Sequence, residues 1–185
     1  MIREGVVLMI KTEHEAVLIL EKWLKSRGMQ TNIEIPFCGS YVSNRYSRNG
    51  TRWDLVAWND SSFMAIEVKL KFSINDIDQT VAMLPACKEV YLAIVDEKIK
   101  KALRIWPKIN TDYGIGLIGI KESSCKIYFN PKNIFPVRKN MESEMLRISK
   151  QLPRIGVTPG YRELAVNPGW RWNKPKKPSH YIPFP

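Results

Sequence analysis

The stretch RWDLVAWNDSSFMAIEVKLKF, residues 52–72, decides the fold of this chain. Two runs rich in strand-forming residues, Arg52–Trp58 and Phe63–Phe72, flank Asn59–Ser62, whose composition is typical of a turn. This order predicts a β-hairpin. Every other residue from Met64 to Phe72 is apolar, so that face of the second strand is predicted to lie in the core. The other face carries two apolar residues and then three charged ones: Phe63, Ala65, Glu67, Lys69 and Lys71.

The register of the hairpin indicates whether this charged face is only solvated or holds a site. If Asn59 lies opposite Ser62, then Asp54 lies opposite Glu67, and Lys69 shares their face. Two ionised carboxylates directly across a ladder repel each other by about 1–4 kcal/mol near the surface. A proton, the ammonium of Lys69 or a bridging divalent cation would relieve the repulsion. An ordinary strand with one solvated polar face is the alternative reading.

Helices and further strands are predicted on both sides of the hairpin. Residues 12–27 form a helix, in which Thr12 and Glu15 make a capping box and Gly28 follows the C-terminus. A strand is predicted at Asn32–Phe37, and residues 38–51 have the composition of a loop. The elements predicted after the hairpin are a helix from Ser73 to about Leu84, strand Glu89–Val95, helix Asp96–Trp106 ended by Pro107, strands Gly114–Ile120 and Cys125–Phe129, and helix Asn140–Leu152. This order predicts an α/β fold, in which helices flank a mixed sheet with the antiparallel hairpin at its centre.

Composition divides the chain into an α/β domain, residues 1–137, and a C-terminal segment, residues 138–185. The C-terminal segment begins with the last predicted helix and continues as a basic tail rich in proline and aromatic residues. It holds ten Lys/Arg against three Asp/Glu, within a chain of 185 residues whose net charge is +11. This excess predicts a polyanionic partner, nucleic acid first and an anionic membrane second.

The cysteines and the apolar runs favour an intracellular, cytoplasmic protein. Three widely separated cysteines form no C-x-x-C pair, so zinc and iron–sulfur sites are not expected: Cys38, Cys87 and Cys125. The apolar run Val6–Ile10 is too short to span a membrane, and no cleavage-site pattern accompanies it.

The hairpin and the elements around it resemble the PD-(D/E)XK nuclease superfamily, which has the restriction-endonuclease-like fold. The likeness is nearest to the RecB-type and Holliday-junction-resolvase-like branches and covers roughly residues 12–120. It rests on Asp54 in one strand and Glu67-Val68-Lys69 in the next, with twelve residues between the two acids. Glu13 in the preceding helix and Gln79 in the following helix agree with it. Trp53 stands where many members have proline.

The resemblance implies a metal-dependent nuclease that hydrolyses phosphodiester bonds in DNA with Mg²⁺ or Mn²⁺. Asp54, Glu67 and the carbonyl of Val68 would bind the metal, and Lys69 would orient or deprotonate the attacking water. Glu13 would bind through water or support a second metal.

Two further residues complete the implied site. Gln79 would position water or substrate, and a solvated helix residue is the alternative reading. The resolvases carry their helix glutamate nearer to the glycine that ends the helix, so Glu15 is the substitute for Glu13.

Basic and aromatic residues outside this site are candidates for nucleic-acid binding. Arg48, Arg52 and Lys71 could contact backbone phosphates, and simple solvation is the alternative reading. Tail residues of the kind that stack on unpaired bases and contact phosphates are Trp170, Arg171, Trp172 and Lys174. Packing of the tryptophans on the domain, or on a second subunit of a homodimer, is the alternative.

Two other functions remain open from the sequence. One is a catalytically inactive nucleic-acid-binding module with the same fold. The other is a scaffold protein whose tail docks a partner.

Overall fold

The computed structural model describes residues 10–37, 51–137 and 140–151. One six-stranded sheet runs in the order β1 to β6: β1 Gln30–Phe37, β2 Thr51–Trp58, β3 Phe63–Lys69, β4 Glu89–Val95, β5 Gly116–Ile120 and β6 Cys125–Phe129. The helices are α1 Glu13–Lys25, α2 Asn75–Val81, α3 Lys100–Tyr113 and α4 Met141–Gln151. Strands β3, β4 and β5 are parallel, and the other neighbouring pairs are antiparallel. The predicted mixed α/β fold with a central antiparallel hairpin is therefore confirmed.

The turn of the hairpin fixes its register. The side-chain oxygen of Asn59 accepts hydrogen bonds from the backbone N–H groups of Ser61 and Ser62, both at 2.9 Å. This local bonding is what favours asparagine at such a position. The predicted register holds from Trp58–Phe63 to Leu55–Ile66, where the paired ladder ends.

Two apolar cores cover the two faces of the sheet. Helix α1 packs on one face, where Leu20 lies in a core with Leu55, Ile66 and Val68. Helices α2, α3 and α4 contribute to the core on the other face, which also holds Phe63 and Ala65 of β3. The second face of β3 is therefore buried along most of its length, and only its end is polar.

The end of β3 differs from the prediction. The strand ends at Lys69, whereas the sequence predicted that it would continue to Phe72. Phe72 lies in the core opposite to Ile66, with its ring centroid 6.0 Å from that of Trp106. The chain leaves the sheet after Lys69. The alternation of side chains along a strand therefore no longer predicts which core Phe72 enters.

Helix α3 differs from the predicted helix Asp96–Trp106 at both ends. A short 3₁₀ turn occupies Asp96–Lys98, and α3 then runs through Pro107 to Tyr113. Proline in a helix interior costs about 3 kcal/mol, but the turns beyond it are held by tertiary contacts. Ile109 is buried, and the side-chain amide of Asn110 donates to the carbonyls of Ile115 at 3.0 Å and Asn130 at 2.8 Å.

Helices α1 and α4 agree with their predicted positions, whereas α2, Asn75–Val81, is shorter than the predicted helix from Ser73 to about Leu84. The capping box of Thr12 and Glu15 is present in α1, and Gly28 has a φ of 79°. In α4, Met145 is buried, and Asn32 of β1 donates a hydrogen bond of 2.9 Å to the carbonyl of Ser149. The boundary predicted at residue 137 stays a prediction, and most of the tail lies outside the described residues. Within the described part, no helix has the length and apolar character needed to cross a membrane.

Candidate active site

Asp54 and the carboxyl end of β3 form the polar end of the hairpin. The half-buried carboxylate of Asp54 accepts a hydrogen bond of 2.8 Å from the backbone N–H of Val68. The backbone pairing of β2 with β3 ends at Leu55–Ile66. Beyond it, the Asp54 side chain accepts the hydrogen bond of the Val68 N–H in place of a backbone carbonyl. This bond fixes one carboxylate against the segment that carries Glu67 and Lys69.

Glu67 and Lys69 form a short and largely buried ion pair. Lys69 Nζ lies 2.6 Å from Glu67 Oε1, and the side chains of Lys69 and Glu67 are 17% and 8% exposed. Removal of one partner from a buried pair leaves a costly unpaired charge. The structure thus brings together three predicted site residues, and Lys69 already supplies one of the charges that relieve the repulsion between the carboxylates.

The electrostatics of the cluster favour positive charge. Burial, reinforced by the nearby charge of Asp54, raises the pKa of Glu67 to about 7. Burial also raises the pKa of Asp54, although its hydrogen bond from Val68 and the charge of Lys69 oppose that shift. Burial disfavours the charged form of Lys69, but the carboxylate of Glu67, followed by Asp54 and Glu13, outweighs burial and raises the pKa of Lys69.

Glu13 and Glu15 occupy different surroundings in the first turn of α1. The carboxylate that serves the cap belongs to Glu15, which accepts from the backbone N–H groups of Lys11 at 2.7 Å and Thr12 at 3.2 Å. Glu13 is solvent-exposed, yet it lies near enough to the cluster to raise the pKa values of Asp54 and Glu67. Glu15 is thus occupied by the helix cap, whereas the charge of Glu13 acts on the cluster.

Glu34 is a site neighbour that the sequence analysis missed. It has a φ of 52°, which is rare for a residue other than glycine, and it stands in β1 between Ile33 and Ile35, whose partners Leu55 and Trp53 flank Asp54. Its charge contributes to the raised pKa of Asp54. A guanidinium nitrogen of Arg52 lies 3.1 Å from its carboxylate. Because residues 38–50 separate β1 from β2, no tight turn in the sequence fixed the register that places Glu34 here.

Strands β1 and β2 change faces together at this point. Ile33 and Leu55 lie in the core beneath α1, whereas Ile35 and Trp53 lie in the opposite core. Residues two apart in a regular strand share a face, so the irregularity is centred on Glu34 and Asp54. The register is the same on both sides of this point, so no extra residue is inserted, and the positive φ of Glu34 accompanies the change of face.

The other predicted residues lie outside this cluster. Gln79 is exposed on α2, and no hydrogen bond among the described residues joins it to Glu67 or Lys69. Lys71 is exposed just beyond β3, and Arg52 is exposed and paired with Glu34. The candidates outside the described residues are Arg48, Trp170, Arg171, Trp172 and Lys174.

The donor set of the cluster fits a hard divalent cation. Across residues 10–37, 51–137 and 140–151, no group of three or more His, Cys, Asp or Glu side chains is arranged to hold a metal. Two carboxylates and the Val68 carbonyl are nevertheless oxygen donors of the kind that Mg²⁺ and Mn²⁺ prefer, and Mg²⁺ commonly uses one or two carboxylates together with substrate phosphates. Burial raises the pKa values of both acids, and the mutual repulsion of the carboxylates adds to the shift of Glu67.

We expect the stability of the metal-free protein to fall as pH rises toward neutrality. Because the folded-state pKa of Glu67 is about 7 and its ordinary value is 4.5, its contribution is fully present below about pH 4.5 and is lost as pH rises through 7. This difference corresponds to about 3 kcal/mol. Urea unfolding in EDTA between pH 5 and 8 measures the slope.

The matched variants are Glu67→Gln, which should flatten this dependence, and Glu122→Gln in the exposed β5–β6 turn, which should preserve it. Equal pH slopes for the wild type and Glu67→Gln would contradict the expectation.

Comparison with known proteins places the fold among solved structures. No family model and no curated protein matches the sequence. The chain is similar to SPO1766, a protein of unknown function from Silicibacter pomeroyi, at 13% identity and a TM-score of 0.54 over 77% of this chain and 86% of that one. It is also similar to AF1548, a protein of unknown function, at 18% identity and a TM-score of 0.43 over 80% and 71%. A third similarity, to Pyrococcus furiosus SfsA in complex with Ca²⁺, has 11% identity and a TM-score of 0.33 over 62% and 60%.

Proposed function

We propose that this protein is a metal-dependent nuclease of the PD-(D/E)XK type that hydrolyses phosphodiester bonds in DNA. The observation that carries the proposal is the convergence of Asp54, Glu67 and Lys69 at the polar end of the hairpin. Asp54 reaches the Val68 N–H at 2.8 Å, and Lys69 reaches Glu67 at 2.6 Å. A solvated strand end would not bury two repelling carboxylates, and the arrangement agrees with the motif resemblance.

Most of the predicted site residues have a role that follows from their surroundings. Asp54, Glu67 and the Val68 carbonyl would hold Mg²⁺ or Mn²⁺, and Glu13 would bind through water or support a second metal. The cation, when bound, lowers the pKa of the attacking water and offsets charge on the phosphate. Gln79 is left without a role that the described contacts support.

Lys69 acts as an ammonium group in this proposal. Its raised pKa means that it is protonated at neutral pH, so it orients the water and stabilises negative charge developing on the phosphate. Of the two roles implied by the resemblance, orientation therefore fits better than deprotonation.

A cleavage panel tests the proposed function. Full-length protein is incubated with single-stranded, duplex and branched DNA, with the matching RNAs, and with Mg²⁺, Mn²⁺ or EDTA. We expect DNA cleavage with either metal and none in EDTA. Salt-dependent binding without cleavage under any metal would instead identify a catalytically inactive nucleic-acid-binding module.

A further inference from the structure

The exposed face of α3 is strongly basic and has no described ionic partner. Residues 98–108 contain five cations and no acid, and the nearest acids in sequence are Glu97 and Asp112 at the two ends. The five cations are all exposed: Lys98, Lys100, Lys101, Arg104 and Lys108. None of them forms an ion pair with any residue that the structure describes.

Three of these cations form a stripe along the helix. Lys101, Arg104 and Lys108 are spaced at i, i+3 and i+7, so they share the side opposite to the buried Ala102 and Trp106. At 1.5 Å per residue the stripe is about 10 Å long. We refer to Lys101, Arg104 and Lys108 as the α3 stripe.

The positions of these cations are electrostatically unfavourable for the helix. Cations are favourable near a helix C-terminus and unfavourable near the N-terminus, and like charges at i, i+4 destabilise a helix. Helices α1 and α4 follow the favourable pattern, with acids in the first turn and lysines in the last turn. Helix α3 has no acid in its first turn and begins with Lys100 and Lys101. Because Glu97 and Asp112 flank only the two ends of the run, the cations between them repel one another unless an anion lies beside the helix.

Helix α3 begins at the same edge of the sheet as the candidate site. Strands β3 and β4 are parallel, and Lys69 lies beside Ile94 in the register. The chain leaves β4 after Val95, and the turn Asp96–Lys98 leads directly into α3. A polyanion in the candidate site can therefore continue onto the basic face of this helix.

We propose that the α3 stripe binds the phosphate backbone of the nucleic acid that flanks the cleavage site. This inference rests on the proposed function and names the surface that holds its substrate. A basic helix also suits an anionic membrane, but membrane-surface helices insert an apolar face among the lipids. The apolar face of α3 is committed to the core through Ala102, Trp106 and Ile109, which leaves phosphate binding as the use of the stripe.

The test is salt-dependent DNA binding in EDTA, so that it does not depend on cleavage. The test variant replaces Lys101, Arg104 and Lys108 by glutamine, which keeps helix propensity. The control variant replaces Lys22, Lys132 and Lys150 by glutamine, which removes the same charge from exposed positions elsewhere. For the stripe variant we expect a tenfold to hundredfold loss of affinity. The plot of log K against log salt should also become shallower by roughly 0.9 for each phosphate that the variant no longer neutralises.

Several results distinguish the alternatives. The control variant should keep the salt slope of the wild type, and the stripe variant should keep or raise the melting temperature because like-charge repulsion is relieved. Equal slopes for the two variants would overturn the proposal, as would a stripe variant that loses binding only to anionic phosphatidylserine vesicles. If the proposed nuclease fails while the stripe is correct, the slope still changes although no DNA is cleaved.

Discussion

Replacing Asp54 by asparagine is expected to lower metal-dependent cleavage by on the order of 10³-fold, which is about 4 kcal/mol of transition-state free energy. Asparagine keeps the size of the side chain and an oxygen that can accept from the Val68 N–H, which now lies 2.8 Å from the carboxylate. The variant removes a negative charge from a site where burial already raises the pKa of this acid. Folding should therefore be preserved, and initial cleavage rates measure the loss.

Asp60→Asn provides the matched control, since it makes the same chemical change in the exposed turn of the same hairpin. This variant should cleave like the wild type. If Asp54→Asn keeps full activity with Mg²⁺ and Mn²⁺, the metal site does not include Asp54, and the proposed assignment of the hairpin is wrong.

Replacing Trp106 by alanine is expected to lower the free energy of unfolding by about 3–5 kcal/mol. Trp106 is fully buried, its ring lies 6.0 Å from that of Phe72, and its indole N–H donates to the carbonyl of Ile115 at 3.1 Å. Alanine leaves a cavity and removes one of the two donors to that carbonyl, the other being the side-chain amide of Asn110. Urea unfolding followed by far-ultraviolet circular dichroism measures the change.

The adjacent Ile105 offers a control, because it is 38% exposed on the same helix. Ile105→Ala should change the stability by no more than about 0.5 kcal/mol. Equal losses for the two variants would mean that α3 does not pack through Trp106.

Local chemistry made the hairpin and its charged end predictable. Asn59 and the two serines after it bond within the turn, so the register followed from the turn outward. That register placed Asp54 near Glu67 and Lys69. The capping box of α1 was equally predictable from the sequence, because both partners lie within four residues of each other.

Long-range packing determined what the sequence analysis got wrong or missed. Pro107 predicted the end of a helix, but the burial of Ile109 and the hydrogen bonds of Asn110 carry α3 beyond it. Glu34 was missed because its position depends on the register of β1 with β2, which are separated by thirteen residues of sequence, 38–50. Ala65 lies on the face of β3 that also carries Glu67, and it is buried in the core to which helices α2, α3 and α4 contribute.

The parallel pairing of β3 with β4 has a consequence for the order in which the site forms. The hairpin that carries Asp54 and Glu67 closes only a short loop, so it can form early at little entropic cost. Glu67 reaches its native surroundings only when Leu92 of β4 lies beside it in the parallel register, and that pairing requires the intervening chain to fold back. We therefore expect the charged residues to meet in water first and to lose their solvent later, in a slower, non-local step of folding.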